Sequence, residues 1–279
     1  MKNFSKPLLV LLAMLVGGSA IAQEKTYKVA LDGTFAPHAM PKLDGGVEGF
    51  NVDLADALAT ELGAKLDVTA AQWSGLLPGM QAGTYDFLVA PTTVTEERTK
   101  NMLFSEGYLN TDFQFAVKAD APDISSLEGF KGKTISVNKG SAYDRWARDL
   151  ESKIGWTVES YGTNADAVQA VVSGRAFAHV AGNTVTAWAV NKTSGLKLSY
   201  LHSTGKVFAI PFRKGDEELR KTIESALECL KTNGTIAKLH EKWFGYAPAA
   251  DAAAVTVYPG FGVPDLAGYD ATAHQPNCK

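Results

Sequence analysis

The stretch VDLADALATELGAKLDVTAA, residues 52–71, decides the fold class, because a helix is followed in it at once by a strand. Apolar residues recur at helical spacing over 52–62, and Gly63 supplies a stop. Residues 66–71 then have the alternation and composition of a strand. A helix joined to a strand by so short a turn is the repeating unit of α/β proteins.

The same alternation continues on both sides of this stretch. It predicts strands at 27–31, 66–71, 87–90, 134–137, 157–160 and 177–181, and helices at 52–62, 74–82 and 164–173, with further helices starting near Thr95, Ser141 and Thr184. Strands and helices of these lengths in alternation indicate mostly parallel sheets flanked by helices on both faces.

Two extended segments, 112–118 and 206–212, interrupt this rhythm and bracket the second series of strands and helices. We therefore expect the chain to leave one lobe, build another and return through these two crossover segments, which would serve as hinges. Helices at 217–233 and 235–244 then complete the first lobe, and the Ala-, Pro- and Gly-rich remainder indicates an extended tail. The expected bounds are 23–112 with 212–246 for lobe 1, 113–211 for lobe 2 and 247–279 for the tail.

The N-terminus has the pattern of a cleaved export signal. Lys2 and Lys6 precede an apolar run at 7–16, and Ala20 and Ala22 provide the small residues of a cleavage site. We expect cleavage after Ala22, so that residues 1–22 are a signal peptide. No cysteine lies at the expected cleavage site, and the mature protein is therefore expected to be soluble, without a lipid anchor.

Composition and motifs argue against several kinds of site. The net charge is −3 and no basic stripe appears, so we expect no nucleic-acid partner. The five histidines are scattered without ligand spacing, which predicts no metal site, and no complete phosphate-binding loop or other cofactor motif is present. Cys229 and Cys278 are the only cysteines, and their pairing stays open from the sequence.

Polar and aromatic residues follow the predicted strands of the first lobe. Asp32 and Phe35 come after the first strand, Trp73 after the second, and Thr93 and Arg98 after the third. Ligands of open α/β sheets bind outside the carboxyl ends of the strands. We therefore expect these side chains to meet in one crevice, where the arginine can grip a carboxylate through two parallel hydrogen bonds.

Several segments together resemble the family 3 extracellular solute-binding proteins, the polar amino-acid receptors of ABC importers. In chain order they are GFNVDLA at 49–55, WSGLLP at 73–78, GTYD at 83–86, TVTEER at 93–98, FSEGY at 104–108, LEGFKGK at 127–133, KGS at 139–141, NGT at 233–235 and EKWFG at 241–245. The resemblance covers about 27–245. It implies the two-lobed Venus-flytrap fold of periplasmic binding proteins, a periplasmic monomer and an ABC permease as partner.

The resemblance also implies roles for individual residues. Arg98 matches the arginine that binds the ligand carboxylate, Thr93 a residue that assists it, Phe35 and Trp73 the aromatic walls, Asp32 an acidic position near a polar ligand end, and Ser141 a helix N-terminus that meets the carboxylate. Each also has a purely structural alternative. Arg98 can be a surface arginine, the two aromatic residues core, Thr93 and Asp32 turn residues, and Ser141 an ordinary N-cap.

Two departures from the family pattern bear on selectivity. Pro91 stands in the threonine segment and has no amide hydrogen to donate. The second-lobe aspartate that pairs with the ligand ammonium in the family maps onto Gly182, followed by Asn183. Asn183 or Asp144 can take its place, or the ligand lacks a charged α-amine, since an unpaired buried ammonium is costly. Asn183 is therefore included among the predicted ligand-binding residues.

The leading functional hypothesis is a binding receptor without catalytic residues. The alternative is a periplasmic cyclohexadienyl (arogenate or prephenate) dehydratase, an enzyme that resembles this family and uses a second-lobe acid as proton donor. Gly182 and Asn183 offer no such acid at the expected place. The sequence therefore favours the receptor.

Overall fold

A computed structural model describes residues 24–279 of the chain. The predicted signal peptide at 1–22 lies outside the described residues. Within the described part, no helix is both long and apolar enough to cross a membrane.

Strands and helices alternate along most of the described chain. The strands are β1 Thr26–Asp32, β2 Met40–Pro41, β3 Val47–Glu48, β4 Lys65–Ala71, β5 Phe87–Leu88, β6 Thr92–Thr93, β7 Met102–Phe104, β8 Leu109–Lys118, β9 Thr134–Asn138, β10 Thr157–Tyr161, β11 Ala178–Gly182, β12 Leu196–Ala209 and β13 Pro211–Arg213. The helices are α1 Phe50–Leu62, α2 Trp73–Gln81, α3 Glu96–Thr99, α4 Ala142–Asp149, α5 Asn164–Val172, α6 Asn183–Lys192, α7 Glu217–Thr232 and α8 Thr235–Phe244.

The first lobe is built on a parallel sheet with the order β4-β1-β5. Helix α1 packs on it through buried apolar residues and ends at Gly63, whose φ of 60° suits a residue without a side chain. Helices α7 and α8 cover the same core, which contains Phe50, Leu227 and Ile236. Residues from both ends of the described chain therefore meet in this lobe.

The second lobe is built on the parallel strands β10-β9-β11. Helices α4 and α5 pack on them, and Phe115, Phe130 and Trp156 form part of a buried cluster. The carboxyl end of β9 leads directly into the turn before α4. The two-lobed α/β architecture and the predicted alternation of helices and strands are therefore confirmed.

The two crossover segments belong to strands that begin earlier in the chain than the sequence indicates. Strands β8 and β12 are antiparallel neighbours that also extend the second-lobe sheet, and β6 of the first lobe pairs with the end of β12. The strand at 206–212 was therefore predicted too short, because β12 begins at Leu196. Register shifts interrupt β12, one of them between His202 and Lys206, and break the alternation that marks a regular strand.

The tail contains no helix or strand of its own within the described residues, apart from one isolated bridge between Phe261 and Asp270. It nevertheless packs closely on α7, where Ala253, Ala254 and Phe261 are buried. The tail thus consists mostly of turns and irregular segments that pack against the first lobe. The sequence did not predict how firmly the tail is attached to the first lobe.

A buried group of charged residues lies between the tail and the first lobe. Glu106, Glu224 and Glu228 are fully buried, and the Lys231 ammonium lies 2.5 Å from a Glu106 carboxylate oxygen. The three carboxylates are close enough together to hold a metal ion. However, the lysine already supplies a cation in direct contact with them.

Backbone groups of the tail complete this cluster. The amide of Tyr258 donates to Glu106 at 2.8 Å, the amide of Gly262 donates to Glu224 at 2.7 Å, and Lys231 donates to the Thr256 carbonyl at 2.8 Å. Cys229 and Cys278 form a disulfide that fixes the end of the tail to α7. The pairing that the sequence left open is therefore present.

Candidate ligand-binding site

A small cavity lies where the two lobes meet, at the carboxyl ends of their strands. It is lined by Asp32, Phe35, Trp73, Pro91, Thr93 and Arg98 from the first lobe and by Asn138, Ser141, Ala142 and Tyr143 from the second. Its volume of about 10 Å³ has room for about one water molecule. The lobes are thus closed over the cavity, and a larger ligand requires them to separate.

Six of the seven predicted binding residues line this cavity, namely Asp32, Phe35, Trp73, Thr93, Arg98 and Ser141. Asn183 does not. It lies at the start of α6, beside a separate cavity that Gln114, Trp188 and Trp243 also line. The structure therefore brings together the residues predicted from the strand ends. Asn183, which was predicted as a replacement for the missing aspartate, lies apart from them.

Arg98 is held in place by its own short helix. The Thr95 hydroxyl caps α3 by accepting a hydrogen bond from the Arg98 amide at 3.2 Å, as the sequence predicts. The guanidinium donates to the Thr93 carbonyl at 2.9 Å and lies over the Trp73 ring, 5.4 Å from its centroid. Burial lowers the pKa of Arg98 to about 10, so the side chain stays cationic at neutral pH.

Asp32 supplies the negative charge of the cavity. Its carboxylate is 3% exposed and accepts hydrogen bonds from the Thr34 amide at 2.9 Å and the Thr34 hydroxyl at 2.7 Å. Burial raises the pKa of Asp32, and the Thr34 hydrogen bonds oppose that rise. Burial and the nearby Asp32 charge raise the pKa of Tyr143, which keeps this phenol neutral.

The two aromatic residues form walls of the cavity and are also buried among other apolar side chains. Trp73 belongs to a cluster of the first lobe, whereas Phe35 packs with residues of the second lobe. The Trp73 indole donates to the Gly140 carbonyl at 3.0 Å and so crosses the cleft. Phe35 and Trp73 therefore line the cavity and also belong to the hydrophobic core.

The second lobe contributes the start of α4. The Ser141 hydroxyl accepts from the Asp144 amide at 3.0 Å, which makes Ser141 an N-cap as well as a cavity residue. Asp144 itself accepts from the Gly140 amide at 2.7 Å and from Arg148 at 2.9 Å. Asp144 is not among the residues that line the cavity, and both of its oxygens accept hydrogen bonds within the second lobe.

The geometry adds Asn138 and Tyr143, two second-lobe residues that the sequence did not indicate. Asn138 ends β9 and is 1% exposed, and its side-chain oxygen has no hydrogen-bond partner among the described residues. The rule that ligands bind beyond the carboxyl ends of strands applies to β9 as it does to β1. Applied to the second lobe, it would have identified Asn138.

Gly182 lies away from the cavity, at the end of β11. A side-chain carbon added there would lie 3.1 Å from the Phe208 ring and 3.2 Å from the Thr111 hydroxyl. A side chain at this position would therefore require the phenylalanine ring or the hydroxyl to move by a few tenths of an ångström. Gly182 is not among the residues that line the cavity, and its role toward a ligand ammonium stays a prediction.

Two further contacts join the lobes around the cavity. His38 is fully buried and lies between Asn51, 2.9 Å from its Nδ1, and Thr184 of the second lobe, 2.9 Å from its Nε2. At the exposed rim, Arg145 of the second lobe pairs with Glu97 of the first at 2.9 Å. The buried contact is the more important of the two, since exposed ion pairs contribute little.

Burial lowers the pKa of His38 to about 4 from an ordinary value of 6.5. Between these values the unfolded chain binds a proton at this histidine and the native protein does not, so stability is lost as pH falls. Glutamine at this position does not titrate. Between pH 6.5 and 4.5, we therefore expect the free energy of unfolding of His38→Gln to fall by about 2 kcal/mol less than that of the native protein. Urea unfolding at several pH values measures the difference, and parallel losses in both proteins would contradict it.

Comparison with known proteins identifies the family. The family model for bacterial extracellular solute-binding proteins, family 3, matches residues 27–246. The chain is 33% identical over 244 residues to the probable amino-acid-binding protein YxeM of Bacillus subtilis, and the match covers 85% of this chain and 91% of that protein. It is 29% identical over 231 residues to the L-cystine-binding protein TcyJ of Escherichia coli K12, covering 81% and 85%.

A solved structure agrees with these relatives. An ancestral arginine-binding protein bound to arginine has a TM-score of 0.75 with this chain at 35% identity, covering 80% of this chain and 99% of that one. The match to the family model begins in β1 and ends just after α8, and so includes both lobes and the cavity between them. The chain belongs to the family 3 bacterial extracellular solute-binding proteins.

Proposed function

We propose that this protein captures an amino acid between its lobes, with Arg98 binding the α-carboxylate, and delivers it to the permease of an ABC importer. The observation that carries the proposal is a cationic guanidinium lining a closed interlobe cavity between two aromatic walls. A guanidinium and a carboxylate match in shape as well as in charge. Relatives named as amino-acid-binding and L-cystine-binding proteins support the same ligand class.

Membership of an extracellular family places the working site outside the cytoplasm. As the finer proposal, the protein is exported through cleavage after Ala22 and acts in the periplasm as a monomer. Its proposed partners are a small ligand and the membrane permease, and we expect no nucleic-acid partner, metal or cofactor.

We place the hinge of this receptor in β8 and β12, where Leu109 pairs with Phe208 and Thr111 pairs with Lys206. The irregular part of β12 is supported here by the Asp112 carboxylate, which accepts from the Thr204 amide at 2.7 Å. Bending at such a place lets two rigid lobes close over a ligand. The proposed lobe bounds are those expected from the sequence, with the crossover strands between them.

We propose a receptor in preference to a dehydratase. The second-lobe residues described at the cavity carry no carboxyl group, and the Asp144 carboxylate points into hydrogen bonds with its own lobe. The absence of a second-lobe carboxylic acid from the cavity lining favours the receptor. Incubation with prephenate or arogenate, followed by assay for released carbon dioxide, tests this choice, and turnover would establish the enzyme.

Arg98→Lys is expected to weaken amino-acid binding by about 2 kcal/mol, which is roughly 30-fold, because lysine does not reproduce a planar two-bond grip. A thermal-shift screen of amino acids, their derivatives and small carboxylates first identifies a ligand, since binding stabilises the native state. Calorimetry with that ligand then compares the native protein and the variant.

The control is Arg175→Lys, a conservative change at an exposed arginine away from the cavity. It should leave the dissociation constant unchanged. Equal affinities for the native protein and Arg98→Lys would remove Arg98 from the site and with it the proposed mode of binding.

A further inference from the structure

The charged side chains that line the interlobe cavity balance each other. Among the described residues at the cavity, Asp32 is the one carboxylate and Arg98 the one guanidinium. Tyr143 is held neutral by burial. Once Arg98 has bound a ligand carboxylate, Asp32 remains as partner for a single ligand cation, and a second cation would find no counter-charge.

Asn138 provides an uncharged contact beside this pair. Its side chain lines the cavity at the end of β9 and is 1% exposed, and its oxygen has no hydrogen-bond partner in the described chain. The carboxamide can also be turned so that its nitrogen takes the place of its oxygen. In either orientation, the carboxamide offers a donor and an acceptor and no charge. Buried polar groups of this kind normally have a hydrogen-bonding partner.

We propose that the ligand is a zwitterionic amino acid of zero net charge whose side chain carries an uncharged hydrogen-bonding group, a carboxamide or hydroxyl, which Asn138 recognises. Asp32 receives the α-ammonium, so cationic amino acids are disfavoured. This inference rests on the proposed function. It is an alternative to the expectation of a ligand without a charged α-amine, because Asp32 supplies a counter-charge at the cavity.

The experiment measures binding of L-glutamine, L-arginine and L-alanine by calorimetry near neutral pH. For the native protein, we expect L-glutamine to bind about tenfold or more tighter than L-arginine, because the second cation of arginine is buried without a partner. Asn138→Asp adds a carboxylate beside the ligand. It should reduce the glutamine-to-arginine ratio of affinities by about tenfold or more.

Asn164→Asp is the matched control. Asn164 is also a buried second-lobe asparagine whose side-chain oxygen lacks a partner among the described residues, but it does not line the cavity. Its substitution should leave the glutamine-to-arginine ratio unchanged. If circular dichroism shows that Asn138→Asp does not fold, Asn138→Ser is used in its place. It should weaken the binding of L-glutamine about tenfold more than the binding of L-alanine.

The outcomes separate this inference from the function on which it rests. If amino acids bind and Arg98→Lys weakens them, but L-arginine binds as tightly as L-glutamine, the inference is overturned and the function stands. Equal ratios in the Asn138→Asp and Asn164→Asp variants also overturn it. If none of the amino acids in the screen binds, the proposed function fails and the inference fails with it.

Discussion

Lys231→Met is expected to lower the free energy of unfolding by about 3–5 kcal/mol, because it removes one partner of a buried ion pair and leaves the other uncompensated. The Lys231 ammonium contacts Glu106 and also donates to the Gly107 carbonyl at 2.6 Å. Burial lowers the pKa of Lys231, and Glu106 opposes that shift. Methionine preserves most of the side-chain length, so the charge and its hydrogen bonds are the main things lost.

Urea unfolding near neutral pH measures this change. Lys221→Met is the matched control on the same helix, because Lys221 is partly exposed and pairs with Asp270 at 3.2 Å. We expect the control to cost less than about 1 kcal/mol. Equal losses for the two variants would show that the buried cluster does not depend on Lys231.

Removing the disulfide by the double change Cys229→Ala and Cys278→Ala is expected to cost about 4 kcal/mol of stability. The bridge joins residues 49 positions apart, so its loss frees a long loop in the unfolded chain. It also detaches the end of the tail from α7. Ligand affinity should change little, because no tail residue lines the interlobe cavity.

The melting temperature of the double variant, compared with the native protein before and after reduction by dithiothreitol, gives the result. Reduction of the native protein should reproduce most of the loss, whereas the variant should not respond to the reductant. An unchanged melting temperature in the variant would show that the tail is held by its other contacts alone.

The main elements were predictable because their local signals agree with the fold. Helix α1 has apolar residues at helical spacing and a glycine stop, and α8 was predicted with its observed bounds. Strand β12 was predicted too short because register shifts and the polar residues near Thr204 interrupt its alternation. Such an irregularity is recognised as part of a strand only when the partner strand is known.

The site was predictable where it follows from strand ends and was missed where it depends on partners distant in sequence. Asp32, Trp73 and Arg98 lie where the sequence places them. Asn138 also lies at a strand end, but its burial and unmet hydrogen bond are visible only in the structure. The family match at Gly182 stays a prediction, since a side chain there would need the Phe208 ring to move by a few tenths of an ångström.

The burial of the charged face of α7 could not be predicted from the local sequence either. Arg220, Glu224, Glu228 and Lys231 lie on one side of the helix and are all buried. A stripe of charges on a helix normally indicates a solvent-facing side. Here the tail covers that side, and the sequence contains no short-range signal for the contact.

The discontinuity of the first lobe has a consequence for the order of folding. Strands β8 to β12 lie within one continuous part of the chain, from Leu109 to Ala209, whereas the first lobe needs α1 to pack against α7 and β7 to pair with β13. Contacts between distant segments require the closure of a long loop, which costs entropy before any contact forms. A chain that emerges N-terminus first can therefore complete its second lobe while the first still lacks α7, and the bridge to Cys278 is the last link to close.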